Sequence, residues 1–210
     1  MKAWQNFDAS QMAEFLAARL ADGLPGRTAQ RAMAPRLAYG RHHGPVPDDA
    51  RRAAVLLALQ QTPTGWSIPA IVRPETMKAH AGQVSLPGGL VESDETLVQT
   101  ALREFEEELG AATAGMRVVG ELTAVYVFVS GFEVTPIVAV SDGLLVLKPN
   151  EHEVAAVLEL PLAELVDPAR RRRHAIERRG LKFTVPHFAI GGQRVWGATS
   201  LMLSEFTALL

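Results

Sequence analysis

Gly89-Leu90-Val91-Glu92-Ser93-Asp94-Glu95-Thr96-Leu97-Val98-Gln99-Thr100-Ala101-Leu102-Arg103-Glu104-Phe105-Glu106-Glu107-Glu108-Leu109-Gly110 runs from a glycine-rich turn into a helix and ends on a glycine. Leu97, Ala101, Phe105 and Leu109 recur at every fourth position, with Val98 and Leu102 beside them, so one face of this helix belongs to a core. The pattern predicts a helix over residues 94–109. Ser93 serves as its N-cap, Asp94 and Glu95 sit at the positive end, and Gly110 is the stop. Glu104, Glu107 and Glu108 stand at i, i+3 and i+4, which puts three carboxylates together on another face.

That grouping is costly. Like charges at this spacing repel by about 0.2–0.5 kcal/mol per pair on an exposed helix, and by more where they are partly buried. Glu106 makes the run denser, and the C-terminal end of the dipole disfavours anions. Arg103 offsets only part of the charge. A hard divalent cation offsets the whole of it, because Mg2+ or Mn2+ takes carboxylate oxygens and keeps room for substrate phosphates. The plainer reading of a glutamate-rich helix is a solvated acidic face. What favours the cation is the glycine-rich lead-in at fixed spacing.

Gly89, five residues, Glu95, seven residues, then Arg103-Glu104-Phe105-Glu106-Glu107-Glu108-Leu109-Gly110-Ala111 resembles the Nudix box, with all seven fixed identities in place over 23 residues. Phe105 and Ala111 depart from the usual larger aliphatics but remain apolar. The resemblance implies an α/β fold, an α/β/α sandwich around a mixed β-sheet. It also implies a hydrolase that uses Mg2+ or Mn2+ to cleave a diphosphate linked to another group. Carried over by position, Glu104, Glu107 and Glu108 are the implied metal ligands, with the Gly89 carbonyl as an additional one. Arg103 orients the carboxylates, Glu95 braces the loop and helix, and Gly88 and Gly110 support the site. The general base in such enzymes is Glu104 itself or an acid from a downstream loop. Here the loop at residues 148–153 offers Glu153 first and Glu151 second, with a solvated loop as the alternative.

Upstream, residues 71–89 hold Arg73, Lys78, His80, Gly82, Gln83, Pro87, Gly88 and Gly89 in an order similar to the extra motif of the coenzyme A pyrophosphatase branch. Val72, Pro74-Glu75 and Leu86 depart from it. Two later stretches, residues 149–162 and 195–199, also look like that branch. The implied substrate is coenzyme A or an acyl-CoA, cleaved to 3′,5′-ADP and a 4′-phosphopantetheine product. Arg73, Lys78, His80 and Gln83 are the implied substrate-binding residues. Cationic and hydrogen-bonding groups beside a glycine-rich turn suit a 3′-phosphate beyond the diphosphate. The alternatives are another nucleoside diphosphate derivative, such as ADP-ribose or a dinucleotide, and a Nudix-fold module that senses a nucleotide without cleaving it.

Around this centre, residues 8–21 read as an amphipathic helix capped by Asp8 or Ser10, with Met12, Phe15, Leu16 and Leu20 on one stripe. Residues 22–49 read as a wrapping loop. Residues 53–59 and 66–73 read as a hairpin, residues 116–129 and 133–140 as another, 155–160 as a strand and 161–166 as a short helix. Residues 181–195 read as strands turning at Gly191-Gly192, and 196–210 as a closing apolar helix. Trp66 and Trp196 read as core. Residues 1–50 are expected to belong to the same domain as the hydrolase unit at 51–210.

The 210 residues are 48% hydrophobic, which supplies a sizeable core. Lys and Arg number 21 against 23 Asp and Glu, a net charge of −2 that argues against bulk binding to nucleic acid or an acidic membrane. Arg170-Arg171-Arg172-Arg173-His174, with Arg178 and Arg179 nearby, is the strongest basic patch. It lacks interleaved aromatics and reads as a solvated helix face. There is no cysteine, which excludes thiolate chemistry, and the opening residues lack a secretory pattern. A cytoplasmic monomer or homodimer is expected, with a small nucleotide-diphosphate substrate and no nucleic-acid or membrane partner.

Overall fold

The computed structural model describes residues 2–35, 44–76, 80–178 and 180–210. Among them, eight strands form one mixed sheet: β1 (Arg51–Thr62), β2 (Gly65–Val72), β3 (Val84–Ser85), β4 (Gly88–Leu90), β5 (Met116–Glu121), β6 (Val125–Val127), β7 (Phe132–Ser141) and β8 (Ala156–Pro161). The long path is β3-β2-β1-β7-β5, with β4 on β1, β6 on β7 and β8 on β2. β1 runs parallel to β7, and the other pairs are antiparallel.

The sandwich follows from alternation along the central strands. On β1, Ala54, Leu56 and Ala58 face one way and Ala53, Leu57 and Leu59 the other, all buried, so the strand reads as one unbroken apolar run. The first set packs with Ile137 and Ala139 of β7 against Ala101, Phe105 and Leu109 of α3 (Leu97–Leu109). The second set packs with Val138 and Val140 against Met12 and Leu16 of α1 (Ala9–Ala21) and against Leu201, Leu203 and Phe206 of α5 (Ala198–Thr207). The fold is therefore an α/β sandwich of helices around a mixed sheet. No helix of the described residues is long and apolar enough to cross a membrane.

Several expectations are corrected. The carboxylate helix begins at Leu97, not at residue 94. Thr96 is its cap, accepting from the Gln99 N–H while the Gln99 side chain accepts from the Thr96 N–H. Ser93 and Asp94 instead lie in a turn, with Asp94 at φ 74° and the Glu92 N–H donating to Glu95 Oε2. The wrapping loop contains α2 (Gly26–Gln30); residues 36–43 lie outside the described residues. The run at 116–129 is two strands, because the Thr123 N–H and Oγ1 donate to Glu205 instead of entering the ladder.

The arginine run is not a helix face: Arg170 ends a single 3-10 turn, and the rest is extended. It forms β9 (Arg171–Arg178), which pairs with β10 (Leu181–Ile190). β10 pairs with β11 (Gln193–Val195) in a separate three-stranded sheet. Arg171 lies over the Phe188 ring at 5.7 Å, and His174 Nδ1 is 3.1 Å from His187 Nδ1. Arg179 lies outside the described residues. Trp66 is buried, while Trp196 is half-buried with its ring edge-on to His174.

Glu205 on α5 is fully buried and accepts from Gly26 N–H, Gln30 Nε2, Thr123 N–H and Thr123 Oγ1 at 2.7–3.2 Å. It ties α2 and the break after β5 to the closing helix. Glu205→Ala is expected to lower stability in urea by about 2–4 kcal/mol, because buried donors would lose a charged acceptor. A loss under about 1 kcal/mol would mean that those donors find other partners.

Candidate functional site

α3 stops where its sequence turns left-handed. Gly110 has φ 60°, and a Cβ there would run into the Lys148 carbonyl. The orphan carbonyls of the last turn are taken up by the following loop. Lys148 N–H donates to Leu109 O at 2.7 Å and Asn150 N–H to Glu108 O at 2.9 Å, while Glu153 N–H donates back to Asn150 O. This fixes the loop that carries Glu151 and Glu153, both exposed, beside the end of α3. Glu153 is close enough to raise the pKa of both Glu104 and Glu108.

Arg103 organises the helix side. Its Nε donates to Glu95 Oε1 at 2.7 Å and its Nη2 to Glu95 Oε2 at 3.0 Å, a bidentate grip. Its Nη1 reaches Glu104 at 2.9 Å and Glu107 at 3.0 Å, and Nη2 also donates to Leu90 O at 3.3 Å. One guanidinium thus joins three carboxylates to the glycine-rich turn. Thr100 Oγ1 adds a bond to Glu95 at 2.8 Å, and this supporting residue had no signal in the sequence beyond a polar side chain at a buried helix position. Arg103 holds Glu95 down to about 2, with help from Thr100.

The other carboxylates are less relieved. Glu108 is 5% exposed, and its Oε2 accepts from the Gly88 N–H at 2.9 Å. Burial pushes it up to about 8; the Gly88 bond and the charge of Arg73 pull it back, and Glu104 and Glu153 push it further. Burial also raises Glu104, against the pull of Arg103. Gly88 and Gly89 allow this approach. A Cβ on Gly88 would strike the β1 backbone, and one on Gly89 would occupy the position of the Glu104 carboxylate. Glu107 is more than half exposed and leans to Arg103.

Among the described residues, no three His, Asp or Glu side chains converge as a metal-holding set. The donor chemistry nevertheless suits a hard dication: a buried carboxylate, Glu108, and a half-buried one, Glu104, repel each other beside a turn with no side chain to block a cation.

The upstream residues fall into two groups. Arg73 directly follows β2, exchanges backbone hydrogen bonds with Gln83 and Gly82, and acts on Glu108. His80, at φ 59°, and Gln83 bond to each other at 3.0 Å within the loop that leaves and re-enters the sheet there. Lys78 lies outside the described residues. Among the described residues, Arg73 Nε and Ser85 Oγ are buried and have no hydrogen-bond partner.

A NUDIX domain model matches residues 46–181. An uncharacterised Nudix hydrolase NudL of Cronobacter sakazakii is 38% identical over 156 residues, covering 74% of this chain and 80% of that protein. Its counterpart of Salmonella newport is 36% identical over 156 residues with the same coverage. Among solved structures, a MutT protein from Methanosarcina mazei Go1 is 18% identical, covers 77% of this chain and 96% of its own, and superposes with a TM-score of 0.49.

The raised carboxyls set a pH dependence. A carboxyl whose folded pKa lies above its unfolded value favours folding while protonated, and that contribution is lost as pH rises from about 4.5 to about 8. In EDTA, unfolding free energy is therefore expected to fall across that window, roughly by a few kcal/mol at most. Glu108→Gln, whose amide oxygen still accepts from Gly88, should flatten most of the slope. Urea titrations at pH 5, 6, 7 and 8 test this, and an unchanged slope in the variant would place its origin elsewhere.

Proposed function

The chain belongs to the Nudix family of pyrophosphohydrolases, which implies a nucleoside diphosphate derivative as substrate, and from that premise we propose that it hydrolyses coenzyme A or an acyl-CoA. The products are 3′,5′-ADP and the corresponding 4′-phosphopantetheine. The observation that carries the reading is the pair Glu104 and Glu108, one half-buried and one buried, set against the Gly88-Gly89 turn with Arg103 holding Glu104. Taking two like charges even partly out of water is costly, and a cation between them compensates that cost.

Glu104, Glu107 and Glu108, with the Gly89 carbonyl, are the proposed ligands of Mg2+ or Mn2+. When bound, the dication neutralises diphosphate charge and makes the attacked phosphorus more electrophilic. The chain's own residues do the rest. Arg103, anchored on Glu95, fixes the direction of Glu104 and of Glu107. The Gly88 N–H fixes Glu108. The water that attacks in line loses its proton to a carboxylate, for which Glu104 and Glu153 are the candidates. Glu104 has a raised pKa and so a stronger grip on a proton, and Glu153 lies on the solvent side. Arg73, His80 and Gln83 at the loop after β2 are proposed substrate-binding residues, and Lys78, which lies outside the described residues, is proposed with them from the sequence. Their charge and hydrogen-bonding capacity support a substrate with a further phosphate.

Two measurements test this. Glu107→Gln, which keeps shape and removes charge, is expected to lower kcat by about 100-fold or more and to weaken Mn2+ binding. Wild-type turnover in that variant would remove Glu107 from the ligand set. Comparing kcat/KM for CoA, dephospho-CoA and ADP-ribose tests the substrate, with CoA expected to be preferred by about 10-fold or more, the worth of one charge-assisted contact. Parity between CoA and dephospho-CoA would exclude recognition of the 3′-phosphate, and a preference for ADP-ribose would exclude CoA.

A further inference from the structure

Buried donors without partners are rare in folded proteins, and each one calls for an explanation. Among the described residues Arg73 Nε and Ser85 Oγ are two of them, and they come from adjoining parts of the same sheet edge. Ser85 on β3 stands opposite Ile71 on β2, so the two point to the same face, and Arg73 lies just past the end of β2 with its charge acting on Glu108. That face is the one α3 covers, since Ile71 packs with Phe105 and Leu109. It is also the face of the carboxylates. Ser85 comes three residues before Gly88, whose N–H holds Glu108, and the charge of Arg73 is felt by Glu108.

A guanidinium Nε–H can only donate, so the partner that Arg73 lacks is an acceptor, and a hydroxyl beside it can donate to the same group. Glu108 is engaged by Gly88, while the register turns Ser85 to the face of that carboxylate and the charge of Arg73 acts on it. We propose that Ser85 Oγ–H and Arg73 Nε–H donate together to non-bridging oxygens of the substrate's diphosphate, which makes Ser85 a substrate-contacting residue. This rests on the diphosphate-hydrolase reading and sharpens it. Arg73 serves the reacting phosphates, and recognition of a distal phosphate falls to other residues of the loop. An anion there gives the arginine a charge partner, and its phosphate oxygens present the fork of acceptors that Arg and Ser need.

The test is calorimetric titration of the full chain with methylenediphosphonate in Mg2+, accompanied by thermal unfolding. Wild type is expected to bind, and Ser85→Ala to bind about 10- to 30-fold more weakly, the worth of one hydrogen bond to a charged group. The Tm should hold or rise, because the variant removes an unpartnered buried hydroxyl. Ser85→Cys, close in size but a poor donor, should weaken binding similarly, which separates loss of the donor from loss of packing. Equal affinity of wild type and Ser85→Ala overturns the inference and leaves the diphosphate reading standing. Failure of wild type to bind overturns both. On substrates, Ser85→Ala should lower kcat/KM by the same factor for CoA and for dephospho-CoA, and a loss confined to CoA would move Ser85 to the distal phosphate and end the proposal.

Discussion

Every part of the site is arranged around negative charge brought out of water at the end of one helix. α3 buries Phe105 and Leu109 against the sheet, and Glu108, three residues on from Phe105 in the helix, is carried into the same interface. An ionised carboxylate so placed needs compensation. It receives one N–H from Gly88 and the nearby charge of Arg73, and burial still dominates its pKa. Arg103 meets the demands of Glu95, Glu104 and Glu107 by bonding to all three. Its bidentate bond is spent on Glu95, which leaves single contacts for the others. Glu95 is thereby fully stabilised as an anion, while Glu104 and Glu108 remain under strain. The inequality is useful, because the carboxylates left poorly compensated are those that face the glycine turn.

The same constraint accounts for the glycines at this end of the sheet. β4 must pair with β1 through Ala53–Leu90, Ala54–Gly89 and Val55–Gly88 while a carboxylate lies directly over it. At Gly88, φ is 155° and the β1 backbone leaves no room for a side chain. At Gly89, the Glu104 carboxylate takes the space. Backbone approach and charge burial are thus one design: the strand is thinned so that the helix can set its acids against it.

How much of this was legible depended on whether a signal was local. The core stripe of α3, its stop at Gly110, the charge cluster and the glycine turn lie within one short segment, and each carries its own chemistry. The helix start is ambiguous in the sequence because Ser93 and Thr96 are both good caps. The reciprocal bonds of Thr96 and Gln99 settle it, and Glu95, just before the helix, is committed to Arg103. The arginine run is ambiguous for another reason. Arg170 to Arg173 carry no apolar alternation, and Arg171 to Arg173 are held in strand β9 by partners on β10 that lie 13–17 residues on. The break between β5 and β6 depends on Glu205, more than eighty residues distant, and no window of sequence holds that information. Short-range chemistry was readable, and pairings made across the fold were not.

This division also bears on how reaction and recognition are separated in the molecule. The acids come from one helix and one turn, contiguous in sequence, where spacing alone constrains them. The groups that would meet substrate come from β2, the loop after it and β3, joined by the register of Ile71 on Ser85 and of Val72 on Val84 and by the backbone bonds of Arg73 to Gln83 and Gly82. A shift of that register by one residue would turn Ser85 to the opposite face and carry it away from the carboxylates. Val84 guards against the shift: it is buried on the other face, and its carbonyl accepts from Thr199 Oγ1 at 3.1 Å, which ties β3 to the closing helix. A contact on the far side of the sheet therefore fixes which atoms of β3 face the reaction centre.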